Sequence, residues 1–140
     1  MPKASVFVDT AAWIALLNAD DALYDQARQV RRTLIQHKIR LVTTEFVLLE
    51  LADALSSPSI RPQTVEYVDN LRRLTILQII PVSQTLLLEG WALYRKRTDK
   101  DWSLTDCTSF VVMAQEHISQ AFTSDHHFAQ AGYTKLLSQP

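Results

Sequence analysis

Ser5-Val6-Phe7-Val8 is a short apolar run that ends on a carboxylate, Asp9, and passes at once into a helix-like segment from Ala11 to Leu17. An unbroken apolar run of this length suits a strand buried on both faces, as in parallel sheets. Asp9 then sits at the strand's carboxyl end, where ligands collect in open α/β sheets. Three more acids, Glu50, Asp106 and Asp125, stand at comparable places further along. Carboxylates gathered at one sheet edge repel each other unless something positive lies between them, and one or two divalent metal ions are the usual solution.

The rest of the chain alternates apolar runs with helical patterns. The cluster Asn18-Ala19-Asp20-Asp21 reads as the stop of the first helix and the cap of a second, which runs to about His37 on a stripe of Leu23, Ala27, Val30 and Leu34. Leu41-Val42-Thr43 predicts a second strand, and Thr44 caps a third helix through Leu55, ended by Ser56-Ser57-Pro58-Ser59. Pro62 suits the first turn of a fourth helix carrying Val65, Val68, Leu71 and Leu74, ahead of a strand from Ile76 to Val82. Ser83 caps a fifth helix with Leu87, Trp91 and Tyr94 on one side, and the charged stretch Arg95 to Asp101 leads to a sixth from Leu104 to about Glu116. Gln120 to Thr123 is the fourth strand, Asp125 to Ala131 a short last helix with Gly132 as its cap, and Tyr133 to Leu137 a candidate edge strand.

Strands alternating with helices predict an α/β fold of three layers, α/β/α, with a mainly parallel sheet of four to five strands and helices on both faces. Only the third strand lacks an acid near its end. In a doubly wound sheet ordered 3-2-1-4-5 that strand lies at an edge, and the acids converge on the switch point between strands one and four.

A chain of 140 residues is long enough for one domain, 1–140, and too short to suggest two. Its 47% hydrophobic and 21% charged residues are ordinary for a soluble protein, and only two glycines argue against a repetitive β architecture. The lone Cys107 excludes an intramolecular disulfide and fits a reducing cytosol. Met1-Pro2-Lys3-Ala4 leads straight into the first strand without a signal core, and no apolar stretch is long enough to span a membrane, so a cytoplasmic protein is expected. The net charge of -1 hides an acid-free stretch between Asp25 and Glu45 that holds Arg28, Arg31, Arg32, Lys38 and Arg40. That stretch reads as a solvated helix face unless an acidic metal site lies beside it, in which case it can meet phosphates.

Each acid also has a structural use. Ser103-Leu104-Thr105-Asp106 is patterned as a capping box, Asp125 suits a helix N-cap, Glu50 and Asp53 suit a solvated helix stripe, and Asp9 can cap the Ala11 helix. The joint pattern outweighs these separate uses. Oxygen ligands without an obvious histidine or cysteine suit Mg²⁺ or Mn²⁺ rather than zinc.

The residues resemble the PIN-domain nucleases, and in particular the VapC-type toxins of bacterial toxin–antitoxin pairs. The resemblance is carried by Val8-Asp9-Thr10, Thr43-Thr44-Glu45-Phe46-Val47-Leu48-Leu49-Glu50, Asp101-Trp102-Ser103-Leu104-Thr105-Asp106-Cys107 and Thr123-Ser124-Asp125-His126-His127-Phe128, which together span nearly the whole chain. It implies a metal-dependent endoribonuclease in which Asp9, Glu50, Asp106 and Asp125 match the acidic quartet, with Glu50 rather than Glu45 as the second acid. Asp101, Thr10 and Ser124 become accessory or substrate-contact candidates.

The chemistry expected is phosphodiester hydrolysis with carboxylate-held Mg²⁺ and an in-line water nucleophile. No histidine is needed as base, so His126 and His127 read as surface residues of a short helix. Arg28, Arg31, Arg32 and the run Arg95 to Lys100 are candidates for RNA backbone contacts. An aspartyl phosphatase would need an acid where Ala11 stands, and a receiver domain an acid pair at the first strand's end and an acceptor near Ile79-Ile80-Pro81. The resemblance also implies an antitoxin protein whose tail fills the acidic groove, and a homodimer formed through helices on the sheet's flank. Phe46, Leu48, Val65 and Tyr67 offer apolar surface for an interface, or simply pack in the core.

Overall fold

The structure, a computed structural model, describes residues 4–139. Met1, Pro2 and Lys3 of the amino-terminal segment lie outside the described residues, as does Pro140. Twelve elements follow in order: β1 (Ser5–Val8), α1 (Thr10–Leu17), α2 (Tyr24–Gln36), β2 (Arg40–Thr44), α3 (Glu45–Ala54), α4 (Arg61–Leu71), β3 (Leu77–Ile80), α5 (Gln84–Lys96), α6 (Leu104–Gln115), β4 (Gln120–Phe122), α7 (His126–Gln130) and β5 (Thr134–Lys135).

The strands form one parallel sheet in the order β3-β2-β1-β4-β5, flanked by helices on both faces. Central β1 pairs Phe7 with Val42 of β2 and with Ala121 of β4, and Val8 with Phe122. Val6, Phe7 and Val8 are fully buried, which is why the run carries no polar alternation. β1 is the switch point: the chain builds outward from it through β2 and β3, then returns to its other side for β4 and β5. The carboxyl ends of β1, β2 and β4 therefore open onto one shared edge.

Several helix starts follow from their caps. The Thr44 hydroxyl accepts from Val47 N at 3.1 Å, the Ser83 hydroxyl from Leu86 N at 3.0 Å, and Ser103 with Asp106 closes a full capping box. Pro62 lies in the first turn of α4. Gly132, at φ +97°, takes the left-handed conformation just beyond α7.

Three local expectations need correction. The second helix starts only at Tyr24, because Asp21 and Asn18 are spent on turns: Asp21 Oδ1 accepts from Leu23 N at 2.8 Å and Asn18 Oδ1 from Asp20 N at 3.0 Å. Leu74 falls outside α4, which ends at Leu71, and it is exposed. β3 stops before Pro81, which has no N–H for the ladder, and Val82 N donates instead to Glu45 Oε1 at 2.9 Å. Leu87, Trp91 and Tyr94 do share one side of α5, and that side faces outward, while α5 meets α6 through Leu86 and Gly90. A Cβ on Gly90 would stand 2.5 Å from Thr108 Cγ2, so the contact face of α5 is the side that lacks bulk.

Leu48 is buried, and Phe46 and Tyr67 pack partly buried on the core; Val65 remains exposed. Among the described residues no helix is long and apolar enough to cross a membrane.

Candidate active site

Asp9 follows β1 and stands at the N-cap position of α1, yet its side chain makes no capping hydrogen bond. It is only 4% exposed, and Thr123 Oγ1, at the end of β4, donates to its Oδ2 at 2.9 Å. Burial is the largest influence on this carboxyl and pushes its pKa up to about 7. Hydrogen bonds from the Thr10 backbone and the Thr123 hydroxyl offset this in part, whereas the Asp106 and Glu50 charges add to it.

Glu50 reaches the same edge from the second turn of α3, where its Oε1 accepts from the Thr10 hydroxyl at 2.5 Å. Thr10 is buried, so its hydroxyl links the first residue of α1 to α3. Glu45, five residues earlier, points elsewhere. Its Oε2 takes Arg72 at 3.2 Å and its Oε1 the Val82 N–H, which ties α3 to α4 and to the end of β3.

Asp106 is buried in the first turn of α6 and uses one oxygen twice: Oδ2 accepts from Ser103 N and from His127 Nδ1, each at 3.1 Å. Burial raises its pKa, the Asp125 and Glu50 charges add to the rise, and Ser103 and His127 oppose it. Asp125 follows β4 and caps α7, accepting from His127 N at 2.9 Å on Oδ1. Ser124 beside it is buried, and its carbonyl accepts from Gln139 Nε2 at 3.0 Å.

His127 does not have the surface position expected for it. Its side chain is 16% exposed and is ringed by acids: Nδ1 lies 3.1 Å from Asp106 Oδ2 and 3.2 Å from Asp125 Oδ1, and Nε2 lies 3.0 Å from Asp101 Oδ1. Burial works against its charge, but Asp125, Asp106 and Asp101 together outweigh burial and raise its pKa. His126 is exposed, as expected for the short helix. The sequence carried a signal for the difference, since Asp125 as N-cap places the residue two positions on over the capping carboxylate. Asp101 itself is 82% exposed and, among the described residues, touches the cluster through His127 alone.

Asp9, Glu50 and Asp106 thus act on one another electrostatically, and Asp106 on Asp125. On Glu50, Asp106 and Asp125 the hydrogen bonds fall on a single oxygen, so Oε2, Oδ1 and Oδ2 have no hydrogen-bond partner among the described residues. Carboxylate oxygens gathered at one sheet edge, each side chain anchored through one oxygen, fit a hard divalent cation. Asp125, His126 and His127 also offer ligand atoms within 4.8 Å of one another, though Nδ1 of His127 is already engaged by two carboxylates.

The basic residues of α2 and β2 are spread out. Arg40 begins β2, at the sheet edge opposite the acids, and is held by Gln78 Oε1 at 2.7 Å and Ser5 Oγ at 3.1 Å. Arg28 lies over the Tyr24 ring at 5.3 Å.

Comparison with known proteins agrees with this geometry. The PIN domain profile matches residues 6–132. The 23S rRNA-specific endonuclease VapC20 of Mycobacterium tuberculosis is 28% identical over 131 residues, covering 94% of this chain and 97% of that protein. The crystal structure of VapC20, described as a Sarcin-Ricin loop cleaving toxin, superposes with a TM-score of 0.80 at 28% identity over 92% of this chain and 96% of that one. VapBC2 from Rickettsia felis, solved bound to a DNA fragment from its promoter, matches at a TM-score of 0.69 with 16% identity, covering 94% and 96% of the two chains. FitAcB from Neisseria gonorrhoeae matches at 0.63 with 15% identity, covering 93% and 95%. These last two bear on the fold alone.

Proposed function

This chain belongs to the PIN domain family, and on that footing we propose that it is a divalent-metal-dependent endoribonuclease, the toxin of a VapBC-type toxin–antitoxin pair. The observation that carries the reading is the mutual electrostatic influence of buried Asp9 and Asp106 with Glu50 and Asp125 at one edge of the sheet. A stable protein has little use for such a cluster unless a cation joins it.

In this reading Asp9, Glu50, Asp106 and Asp125 hold Mg²⁺ or Mn²⁺. The bound ion supplies Lewis acidity toward the phosphodiester and toward water. The chain's own contribution is orientation. Thr123 fixes the Asp9 carboxylate, Thr10 fixes Glu50, and the Ser103 capping box fixes Asp106, each by a hydrogen bond on one oxygen. His127 lies between Asp106 and Asp125 and restrains both carboxylates, whose charges raise its pKa and favour the protonated ring that lowers their repulsion. In the reaction one water adds at phosphorus and one P–O ester bond breaks, leaving a phosphate monoester and a free hydroxyl.

The substrate of the relative makes 23S ribosomal RNA the first RNA to test. An RNA target and the free, buried Cys107 fit a cytoplasmic protein. The partner would be a VapB-like antitoxin covering the acidic edge. A homodimer would use exposed apolar residues of α3 and α4 such as Leu49 and Val65, which line the groove between those helices.

The test is cleavage of a 23S ribosomal RNA fragment by the purified protein with Mg²⁺, with Mn²⁺ or with chelator. Cutting should require the metal and be lost in Asp9→Asn and Asp106→Asn. Wild-type cleavage in chelator, or undiminished cleavage by either variant, would sink the proposal.

A further inference from the structure

We propose that the groove beside Trp91 and Tyr94 is a stacking subsite for an unpaired base of single-stranded RNA, holding the substrate next to the acidic edge. The inference rests on the endoribonuclease reading and names the surface that grips the chain being cut.

Trp91 and Tyr94 lie one turn apart on α5, with ring centroids 5.3 Å apart and planes 16° from parallel. They are 42% and 45% exposed, so two large rings are held face to face where neither contributes to the core. A stacked pair with open outer faces can add a nucleobase as a further layer, which is how sequence-tolerant single-strand binders hold RNA. Together with Arg97, Lys100, Asp101 and Trp102 the rings line a groove of about 590 Å³, within the usual range of small-ligand sites. Trp102 is a fixed wall: it is buried, packs edge-on to Phe110 at 5.0 Å and donates to Gln130 Oε1 at 3.0 Å.

The charges around the groove favour a polyanion. Asp99 is held by two nitrogens of the Arg97 guanidinium at 2.9 and 3.0 Å, and Asp101 Oδ1 lies 3.0 Å from His127 Nε2, so both acids of the loop already lean on neighbours within the protein. Among the described residues Arg95, Lys96 and Lys100 make no salt bridge, which leaves them to meet phosphates. The groove wall is linked to the acids by direct contacts. Asp101 touches His127, His127 touches Asp106, and Ser103 in the groove wall closes the capping box on Asp106. A base stacked at Trp91 would therefore belong to a nucleotide close to the phosphate being cut.

The test uses the full chain and a fluorescein-labelled ten-nucleotide oligoadenylate, with binding followed by anisotropy in chelator, where no cutting occurs. Trp91→Ala and Tyr94→Ala should each weaken binding by about fivefold or more, as expected for loss of one base stack, and Trp91→Phe should largely restore it. In Mg²⁺ the alanine variants should raise KM for cleavage more than they lower kcat. Alanine variants that bind like wild type would overturn the inference, as would a wild-type protein that fails to bind the oligonucleotide. A change in oligomeric state by light scattering, with RNA affinity unaltered, would assign the rings to a protein interface and overturn it too. The nuclease reading is judged separately: Trp91-dependent binding without Mg²⁺-dependent cutting of any RNA tested would defeat that reading and leave the subsite standing.

Discussion

His127 Nδ1 lies 3.1 Å from Asp106 Oδ2, the oxygen that also accepts the Ser103 N–H. One carboxylate oxygen thus closes the start of α6 and pairs with α7, which places Asp106 by two independent restraints. The imidazole reaches Asp125 Oδ1 as well, at 3.2 Å, so it bridges the two acids that flank β4. It is the one basic side chain that these two carboxylates share at hydrogen-bonding distance, among the described residues, and their charges raise its pKa.

His127→Gln should therefore enlarge the effect of metal. Without the imidazolium, Asp106 and Asp125 repel each other more, so the metal-free protein loses stability and a bound cation relieves more repulsion. The rise in Tm on adding Mg²⁺ should be greater in the variant than in wild type, measured by differential scanning fluorimetry. An equal rise would show that His127 carries no charge in that cluster.

Asp106 does two jobs, and two substitutions separate them. Ser103→Ala removes the hydroxyl half of the capping box and should cost about 1 kcal/mol of stability, in line with N-cap losses elsewhere, while most RNA cleavage survives. Asp106→Asn should abolish cleavage, by about a hundredfold or more as for loss of an essential electrostatic group, with a smaller change in urea midpoint. Equal activity losses in the two would mean that Asp106 matters only as a cap.

Asp9 makes the metal-free protein sensitive to pH. Its carboxyl titrates at about 7 in the folded protein against an unperturbed value of 3.8. The folded state thus holds a proton that the unfolded chain has already released, and stability falls as pH rises across that interval. Asp106, also raised, acts in the same direction, and His127 does so above its ordinary value of 6.5. In chelator, Tm should fall from about pH 4 to about pH 7 more steeply in wild type than in Asp9→Asn, which has nothing to ionise there. Parallel curves would place the Asp9 carboxyl in a more solvated setting.

Gly90 should not tolerate a methyl group. An added Cβ would meet Thr108 Cγ2 at 2.5 Å and the Thr108 backbone at 3.3 Å, so Gly90→Ala should cost about 1–3 kcal/mol, the usual penalty for overpacking. Adding Thr108→Ser removes Cγ2 and keeps a hydroxyl for the Thr105 carbonyl, so the double variant should recover part of the loss in urea unfolding. No recovery would locate the strain in the backbone rather than at the methyl group.

The acids at the strand ends were legible because their signals are local. A fully apolar run ending on Asp9, a Ser103–Asp106 capping pattern and Thr44 ahead of an apolar helix can be read within a few residues of each other. Parallel order followed from alternation alone, since crossover helices leave few other arrangements. The inward face of α5 was not legible. Hydrophobic periodicity marks bulky residues, whereas this helix packs through Gly90 and leaves Trp91 and Tyr94 outside.

Local patterns were enough to place the class of fold, the order of its elements and the acids Asp9, Glu50, Asp106 and Asp125 near element ends, because caps and apolar runs act over one or two turns. How these groups behave once assembled depends on long-range packing. Burial moves the Asp9 carboxyl to about 7, and the approach of α6 to α7 puts His127 between Asp106 and Asp125. Both are consequences of desolvation and of contacts between residues far apart in the chain, Asp9 with Thr123 and Thr10 with Glu50, which no local pattern encodes.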